Sequence, residues 1–188
     1  VDALDRGIPV WGELELAWRV RHPDTAAAWL CVTGTNGKTT VTLMLESMLR
    51  AAGYRTTAAG NIGTSLVDVV MHDELDVIAV EVGAPQLPFV HSMSPVAAVC
   101  LNIADDHIDH FGSMEAYVAA KARVYERAQE AAVYNVQDGV TLRMVEQADV
   151  VEGCRAIGFT LGVPALSMLG VVDDVLVDRA FIADRAET

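Results

Sequence analysis

Short apolar runs alternate with segments of helical periodicity along most of the chain. Residues 29–32 form an apolar run, and after a glycine-rich loop apolar positions recur at helical spacing as far as Gly53. Two β-branched runs, at 76–82 and 96–103, are typical of strands buried on both faces. This alternation predicts an α/β fold with a mostly parallel sheet and helices on both faces. The other predicted elements are strands at 54–58, 131–136 and 156–159, helices at 64–71, 113–128 and 139–148, and a small hairpin at 170–178.

The glycine-rich loop has the form and position of a phosphate-binding loop. Gly34 and Gly37 allow the backbone to turn its N–H groups toward an anion. Lys38 can reach the β and γ phosphates of a nucleotide, and the hydroxyl of Thr39 can ligate Mg²⁺. The strict pattern has another glycine five residues before Gly37, where this chain has Val32. The alternative is an ordinary glycine turn with a solvated lysine, but the flanking strand and helix favour the phosphate loop.

Glu81 is an acidic residue at the carboxyl end of the apolar run 76–82. Ligands of parallel sheets collect at this edge, where the glycine loop also opens. A carboxylate is costly to bury without a partner. A Mg²⁺ ion beside bound phosphates is the partner we favour, and the alternative is a glutamate that emerges into solvent.

A polar cluster follows the run 96–103 at the same edge. It contains His107, which can ligate a metal through a neutral imidazole nitrogen. Asp105, Asp106 and Asp109 can orient that ring. From these residues alone, a solvated acidic loop is an equal alternative.

Lys121 lies on the predicted helix 113–128. It shares a helix face with Tyr117, Val124 and Tyr125. Spacing alone favours a solvated lysine whose aliphatic stem packs along the helix surface.

Composition narrows the class of protein without deciding it. The chain has 188 residues, 52% of them hydrophobic, which is enough for a full core. The net charge of −13 repels nucleic acid and anionic membranes, so we expect neither a nucleic-acid partner nor membrane insertion. No apolar run has the length of a membrane span, and no signal peptide is visible. The widely spaced Cys31, Cys100 and Cys154 favour reduced thiols and a cytoplasmic location.

The motifs taken together resemble the Mur ligase family, and the resemblance covers nearly the whole chain. It implies a P-loop-type domain of an ATP-dependent carboxylate–amine ligase that forms ADP, with a piece of this size inactive in isolation. Residues 1–28 would be the tail of an N-terminal UDP-binding domain and its linker. Residues 29–188 would be the central ATP-binding domain, cut at its carboxyl end, without the C-terminal domain. The residues that carry the resemblance are 33–40, Gly60-Asn61-Ile62-Gly63, Glu81, 101–109 with Asp106 and His107, and 117–123 with Lys121.

The resemblance also implies roles for individual residues. ATP would be held by Gly34, Thr35, Asn36, Gly37, Lys38, Thr39 and Thr40. The catalytic residues would be Lys38, Lys121 and His107, the substrate contacts Asn61, Gln86 and His107, and the magnesium-site residues Thr39, Glu81, His107 and Lys121. Lys121 would be carbamylated, which converts a cationic amine into an anion that can bind a second Mg²⁺.

Within the family, the likeness is to the branch that joins D-glutamate to UDP-N-acetylmuramoyl-L-alanine through an acyl phosphate in peptidoglycan precursor synthesis. Segments 7–16 and 158–181 point to this branch. One segment departs from it, because Gly83-Ala84-Pro85-Gln86 stands where the branch typically has Ser-Ser-Phe-Gln. Two alternatives therefore stay open: a sister ligase with another acceptor amino acid, and a divergent nucleotide-binding module without turnover.

Overall fold

A computed structural model describes residues 2–22, 25–72, 74–105 and 108–181. The strands are β1 (Ala28–Thr33), β2 (Thr56–Gly60), β3 (Val77–Glu81), β4 (Ala97–Cys100), β5 (Ala131–Asn135), β6 (Arg155–Phe159), β7 (Met168–Val172) and β8 (Val175–Asp178). The α-helices are α1 (Asp2–Asp5), α2 (Glu13–Val20), α3 (Lys38–Ala51), α4 (Leu66–His72), α5 (Ile108–Phe111), α6 (Met114–Ala122) and α7 (Gly139–Glu146), and two 3₁₀ helices span Ala84–Phe89 and Arg123–Tyr125. Within the described ranges, none of these helices is both long and apolar enough to cross a bilayer.

The strands form one sheet in the order β2-β3-β1-β4-β5-β6-β7-β8. All neighbours pair in parallel except β7 and β8, which are antiparallel. This arrangement confirms the predicted α/β class. The predicted hairpin is also present, and Asp173 and Asp174 at its turn have φ angles of 48° and 62°. Two successive left-handed residues are the geometry that a tight type I′ hairpin requires.

Several predicted element boundaries are displaced, among them the start of α4 and the end of α7, and three of the displacements have identifiable reasons. The strand predicted at 54–58 lies at 56–60, because Arg55 belongs to the preceding turn and pairs with Asp76. The run 96–103 leaves the ladder after Cys100, since the following residues turn toward the glycine loop. The helix predicted at 113–128 ends at residue 122 and continues as a 3₁₀ turn. Tyr125 in that turn reaches the sheet, accepting from the Cys100 N–H and donating to Val133 O.

Two local helix features are confirmed. Ser113 caps α6, because its hydroxyl accepts the N–H of Ala116 at 3.1 Å. On α3, Arg50 donates to the carboxylate of Glu46 at 2.6 Å, an i,i+4 pair on the exposed side of the helix. Both features follow from residues three or four positions apart, which is the range over which sequence patterns are informative.

The main core lies on one face of the sheet. Trp29 and Cys31 of β1 are each 1% exposed and belong to this core. Helix α2, which the hydrophobic pattern did not predict, covers part of it with Leu14 and Ala17, both fully buried. The described cysteines are free thiols, and burial raises the pKa of Cys31 to about 12.

The opposite face is covered unevenly. Helix α3 packs over β1, β2 and β3, whereas β4, which was predicted to be buried on both faces, has only half-buried Ala97 and Val99 on this side. An apolar groove of about 400 Å³ lies there between α3 and β1, β4, β5 and β6. Met44 and Met48 of α3 line it and are 57% and 60% exposed. In the described part of the chain, this half of the sheet face therefore remains accessible.

Acidification should destabilise the protein through Glu15 of α2. Burial acts to raise the pKa of this fully buried carboxyl, but its hydrogen bonds outweigh burial and lower the pKa from 4.5 to about 2. The donors are the N–H groups of His91 and Ser92, the Ser92 hydroxyl and Arg19. Since the pKa is lower in the folded state, this contribution is complete above about pH 4.5 and is lost as the pH falls toward 2.

The measurement is the urea midpoint between about pH 6 and pH 2 for the wild type and for Glu15→Gln. The wild type should lose stability more steeply, because the glutamine has no proton to take up. At neutral pH, Glu15→Gln should be less stable by about 2 kcal/mol, since the charged acceptor of several buried donors is gone. Parallel pH profiles for the two proteins would contradict the assignment.

Candidate functional site

The glycine loop joins the end of β1 to the start of α3, as predicted. Gly37 stands immediately before the helix with φ +82°, a left-handed conformation in which a side chain would be strained. The first N–H groups of α3 therefore open into the loop, where the helix dipole favours an anion. Thr40, in the first turn of α3, is exposed at the same end of the helix.

Lys38 folds back over this loop. Its ammonium group donates to the carbonyl oxygens of Gly34 and Thr35, each at 3.0 Å. The side chain is half-buried, so the alternative of an ordinary turn with a freely solvated lysine does not describe it. The structure thus holds the ammonium group of Lys38 at the loop.

Glu81 joins the loop to the turn that follows β2. The side chain is 2% exposed, and both carboxylate oxygens accept hydrogen bonds. Thr39 donates its hydroxyl to Oε2 at 2.7 Å, and the amide of Asn61 donates to Oε1 at 2.9 Å. The strands approach closely here, since a Cβ at Gly60 would lie 2.4 Å from Glu81 O. The structure therefore brings together three residues that are far apart in sequence, and it excludes the alternative in which Glu81 emerges into solvent.

The oxygen atoms beside the loop are suited to binding magnesium. Glu81 and Thr39 present oxygen atoms, which a hard cation prefers, and Mg²⁺ is usually held by one or two carboxylates together with substrate phosphates. The described ranges contain no group of three or more His, Cys, Asp or Glu that could form a closed metal cage. Thr39 and Glu81 fit an open magnesium site that phosphate oxygens complete.

Lys121 is not the solvated lysine that its spacing indicated. Its side chain is 1% exposed, and its Nζ donates to the carbonyl of Gly34 at 2.8 Å. The same nitrogen lies 3.5 Å from the Thr33 hydroxyl and 5.0 Å from the centre of the Tyr117 ring. The interpretation from spacing alone is wrong, because the carbonyl that receives this amine comes from a loop 87 positions earlier in the chain.

Two further side chains fix the loop from the neighbouring strand and helix. Asn102, just after β4, accepts the N–H of Asn36 at 2.8 Å and donates to its carbonyl at 3.1 Å. Tyr117 places its hydroxyl 3.0 Å from that of Thr35. Neither residue had been assigned a role in the site. The position of Asn102 at the carboxyl edge of a strand was the signal that could have indicated one.

The structure describes Gln86, a predicted substrate contact, but not His107. Gln86 accepts the N–H of Gly83 at 2.8 Å and so caps the 3₁₀ helix Ala84–Phe89 that follows Glu81. His107, assigned to the metal, the substrate and catalysis, lies outside the described residues together with Asp106.

A glycine loop between a parallel strand and a helix, with a lysine over it and a carboxylate on the adjacent strand, defines a phosphate-binding-loop α/β domain. The chain belongs to the Mur ligase family: residues 32–169 match the family model described as Mur ligase middle domain. This match confirms the resemblance drawn from the sequence motifs.

Sequence similarity to individual members of the family supports the same assignment. The UDP-N-acetylmuramoylalanine–D-glutamate ligase of Streptomyces avermitilis is 58% identical over 184 residues, which cover 97% of this chain and 39% of that protein. The chain therefore spans about two fifths of the length of this relative.

Two solved structures share the fold. One is a UDP-N-acetylmuramoyl-L-alanyl-D-glutamate–2,6-diaminopimelate ligase, with a TM-score of 0.63 and 20% identity over 77% of this chain and 34% of that chain. The other is the MurF ligase of Thermotoga maritima in complex with ADP, with a TM-score of 0.56 and 20% identity over 72% and 33%.

Proposed function

We propose that this chain is the ATP-binding domain of a ligase that joins D-glutamate to UDP-N-acetylmuramoyl-L-alanine in the cytoplasm. The observation that carries the proposal is the arrangement of Thr39, Glu81 and Asn61 at the mouth of a glycine loop bearing Lys38. The relative at 58% identity supports the choice of substrates. The segment Gly83-Ala84-Pro85 departs from the typical pattern of this branch. It forms the start of the 3₁₀ helix Ala84–Phe89, and Glu81 before it keeps its bond to Thr39.

The proposed reaction has two steps. The substrate carboxylate attacks the γ phosphorus of ATP, which gives an acyl phosphate and ADP. The amine of D-glutamate then attacks the acyl carbon, and an amide forms as inorganic phosphate leaves. Catalysis of this kind depends mainly on positioning and on neutralising charge.

Different residues of this chain would bind the phosphates, the magnesium ions and the muramoyl substrate. Lys38 and the N–H groups at the start of α3 would hold the phosphates. Thr39 and Glu81 would hold Mg²⁺, which when bound offsets phosphate charge. Asn61, tied to Glu81, would contact the muramoyl substrate beside the phosphates. Lys121, beneath the loop, would act as a carbamate toward a second Mg²⁺.

The test is amino-acid-dependent release of ADP by the full-length protein that contains this chain. With MgATP and UDP-N-acetylmuramoyl-L-alanine, D-glutamate should support turnover, whereas L-lysine, diaminopimelate and D-Ala-D-Ala should not. Turnover with one of these other acceptors would assign a sister ligase. No phosphate or ADP release with any acceptor would favour a nucleotide-binding module without turnover.

Replacing Lys38 should remove nucleotide binding without unfolding the protein. Its ammonium group is bonded only to loop carbonyls among the described contacts and contributes little to the core. Saturating MgATP should raise the melting temperature of the full-length wild type by several degrees. In Lys38→Ala we expect no rise, measured by thermal shift. Arg50→Ala, on the exposed side of the same helix, is the control and should keep the full rise. An undiminished shift in Lys38→Ala would contradict the phosphate role.

A further inference from the structure

Two acidic residues at the start of α2 hold two different segments of the domain. Glu13 Oε1 accepts the Ser65 hydroxyl at 2.9 Å and the Leu66 N–H at 2.8 Å. Glu15, two positions on, accepts instead from the segment around His91 and Ser92. Helix α2 is therefore joined by separate carboxylates to the start of α4 and to the loop before β4.

The bond to Leu66 sets the position of α4. Leu66 is the first residue of this helix, and the first N–H groups of a helix have no partner within it. A serine just before a helix commonly supplies the missing acceptor itself. Here Ser65 instead donates to Glu13, and the Glu13 carboxylate takes the Leu66 N–H. The start of α4 is thus fixed by a residue 53 positions earlier.

The same segment carries Asn61. Asn61 lies four residues before Ser65, and its backbone N–H donates to Glu81 O at 2.9 Å while its amide donates to the Glu81 carboxylate. The turn that contains Asn61 is therefore held at one end by Glu81 and at the other by Glu13. A backbone bond from the Gly60 N–H to Thr64 O at 3.3 Å spans this turn, so loss of the Glu13 bonds would loosen the turn on the side of α4 while Glu81 still holds Asn61.

We propose that Glu13 is a positioning residue for substrate binding, acting through Ser65 and Leu66 on the turn that carries Asn61. The inference rests on the proposed function, in which Asn61 contacts UDP-N-acetylmuramoyl-L-alanine. The phosphate loop is connected to this turn through Glu81, but it is also held by Asn102, Tyr117 and Lys121, whose bonds to the loop do not involve the turn. Removing the Glu13 carboxylate should therefore weaken binding of the muramoyl substrate and leave binding of ATP largely unchanged.

The test is steady-state kinetics of the full-length enzyme. Glu13→Ala should raise the KM for UDP-N-acetylmuramoyl-L-alanine about tenfold, the effect of losing one or two hydrogen bonds to a charged group, with the KM for ATP changed less than about twofold. Glu13→Gln should restore most of the affinity, because its amide oxygen can accept the same two hydrogen bonds. Ser65→Ala removes one of those bonds and should raise the same KM about two- to threefold. In the double variant the two effects should be less than additive.

Glu15→Ala is the matched control. It removes a carboxylate from the same helix, and should lower the unfolding midpoint without a selective change in the KM for the muramoyl substrate. Equal rises of both KM values in Glu13→Ala would overturn this inference alone. So would an unchanged KM for the muramoyl substrate in Glu13→Ala. If Glu13→Ala does not fold, an unchanged KM for that substrate in Ser65→Ala would do the same. A wild-type enzyme without D-glutamate-dependent turnover would overturn the proposed function, and this inference with it.

Discussion

Lys121→Ala in the full-length enzyme should lose ligase activity by about 100-fold or more, the size of effect seen when one charge-stabilising group is removed from an active site. The amine is buried beneath the glycine loop and donates to Gly34 O at 2.8 Å. In the proposed carbamate, the ammonium group has lost one proton to become a neutral amine and a second proton as its nitrogen bonded to the carbon of CO₂, which leaves an anion suited to a second Mg²⁺. The expected loss is measured as ADP release at saturating substrates.

Chemical rescue separates this role from a structural one. Acetate or formate can occupy the space left by Lys121→Ala and supply the missing carboxylate, so either should restore part of the activity. Lys38→Ala is the matched control and should not respond, because the proposed role of Lys38 needs a cation. Near-normal activity of Lys121→Ala would remove the proposal, and inactivity without rescue would favour a role for the amine in holding the loop.

Glu81→Gln should weaken binding of MgATP by about 10- to 100-fold while changing binding of metal-free ATP little. The amide has nearly the shape of the carboxylate but not the charge that a hard cation requires. Titration calorimetry with the full-length protein, once with Mg²⁺ and once with EDTA, measures the two affinities.

The control for this substitution is Glu46→Gln. Glu46 belongs to α3, the helix that follows the loop, and its carboxylate accepts a hydrogen bond from Arg50 on the exposed side of that helix. It should bind ATP like the wild type under both conditions. Equal losses with Mg²⁺ and with EDTA in Glu81→Gln would argue that the carboxylate only holds Thr39 and Asn61 in place.

The sequence was most informative where structure depends on neighbours along the chain. The β-branched run at 76–82 corresponds to β3, whose residues 78–81 are buried, and the helical spacing after the glycine loop corresponds to α3. The glycine loop between the apolar run 29–32, which corresponds to β1, and α3 could be located because a phosphate-binding loop needs a strand before it and a helix after it. Glu81 could be singled out because an acid at the end of an apolar strand demands a partner.

The features that could not be predicted depend on contacts between distant segments. The environment of Lys121 is set by a carbonyl of another element, so helical spacing indicated a surface residue where the structure has a buried one. Glu13 likewise acts on a helix start 53 positions away. No local pattern records either partner, since each arises only when the strands of the sheet are placed side by side.

Lysine is rare in this chain, and its placement has a practical consequence. Of the 13 basic residues, 11 are arginine, and the two lysines are Lys38 and Lys121. Both amines donate to the same carbonyl oxygen of Gly34, one from the first residue of α3 and one from the buried side chain on α6. Amine-selective labelling of lysine side chains within these 188 residues thus reports on one loop. The half-buried Lys38 should be labelled faster than Lys121, which is 1% exposed.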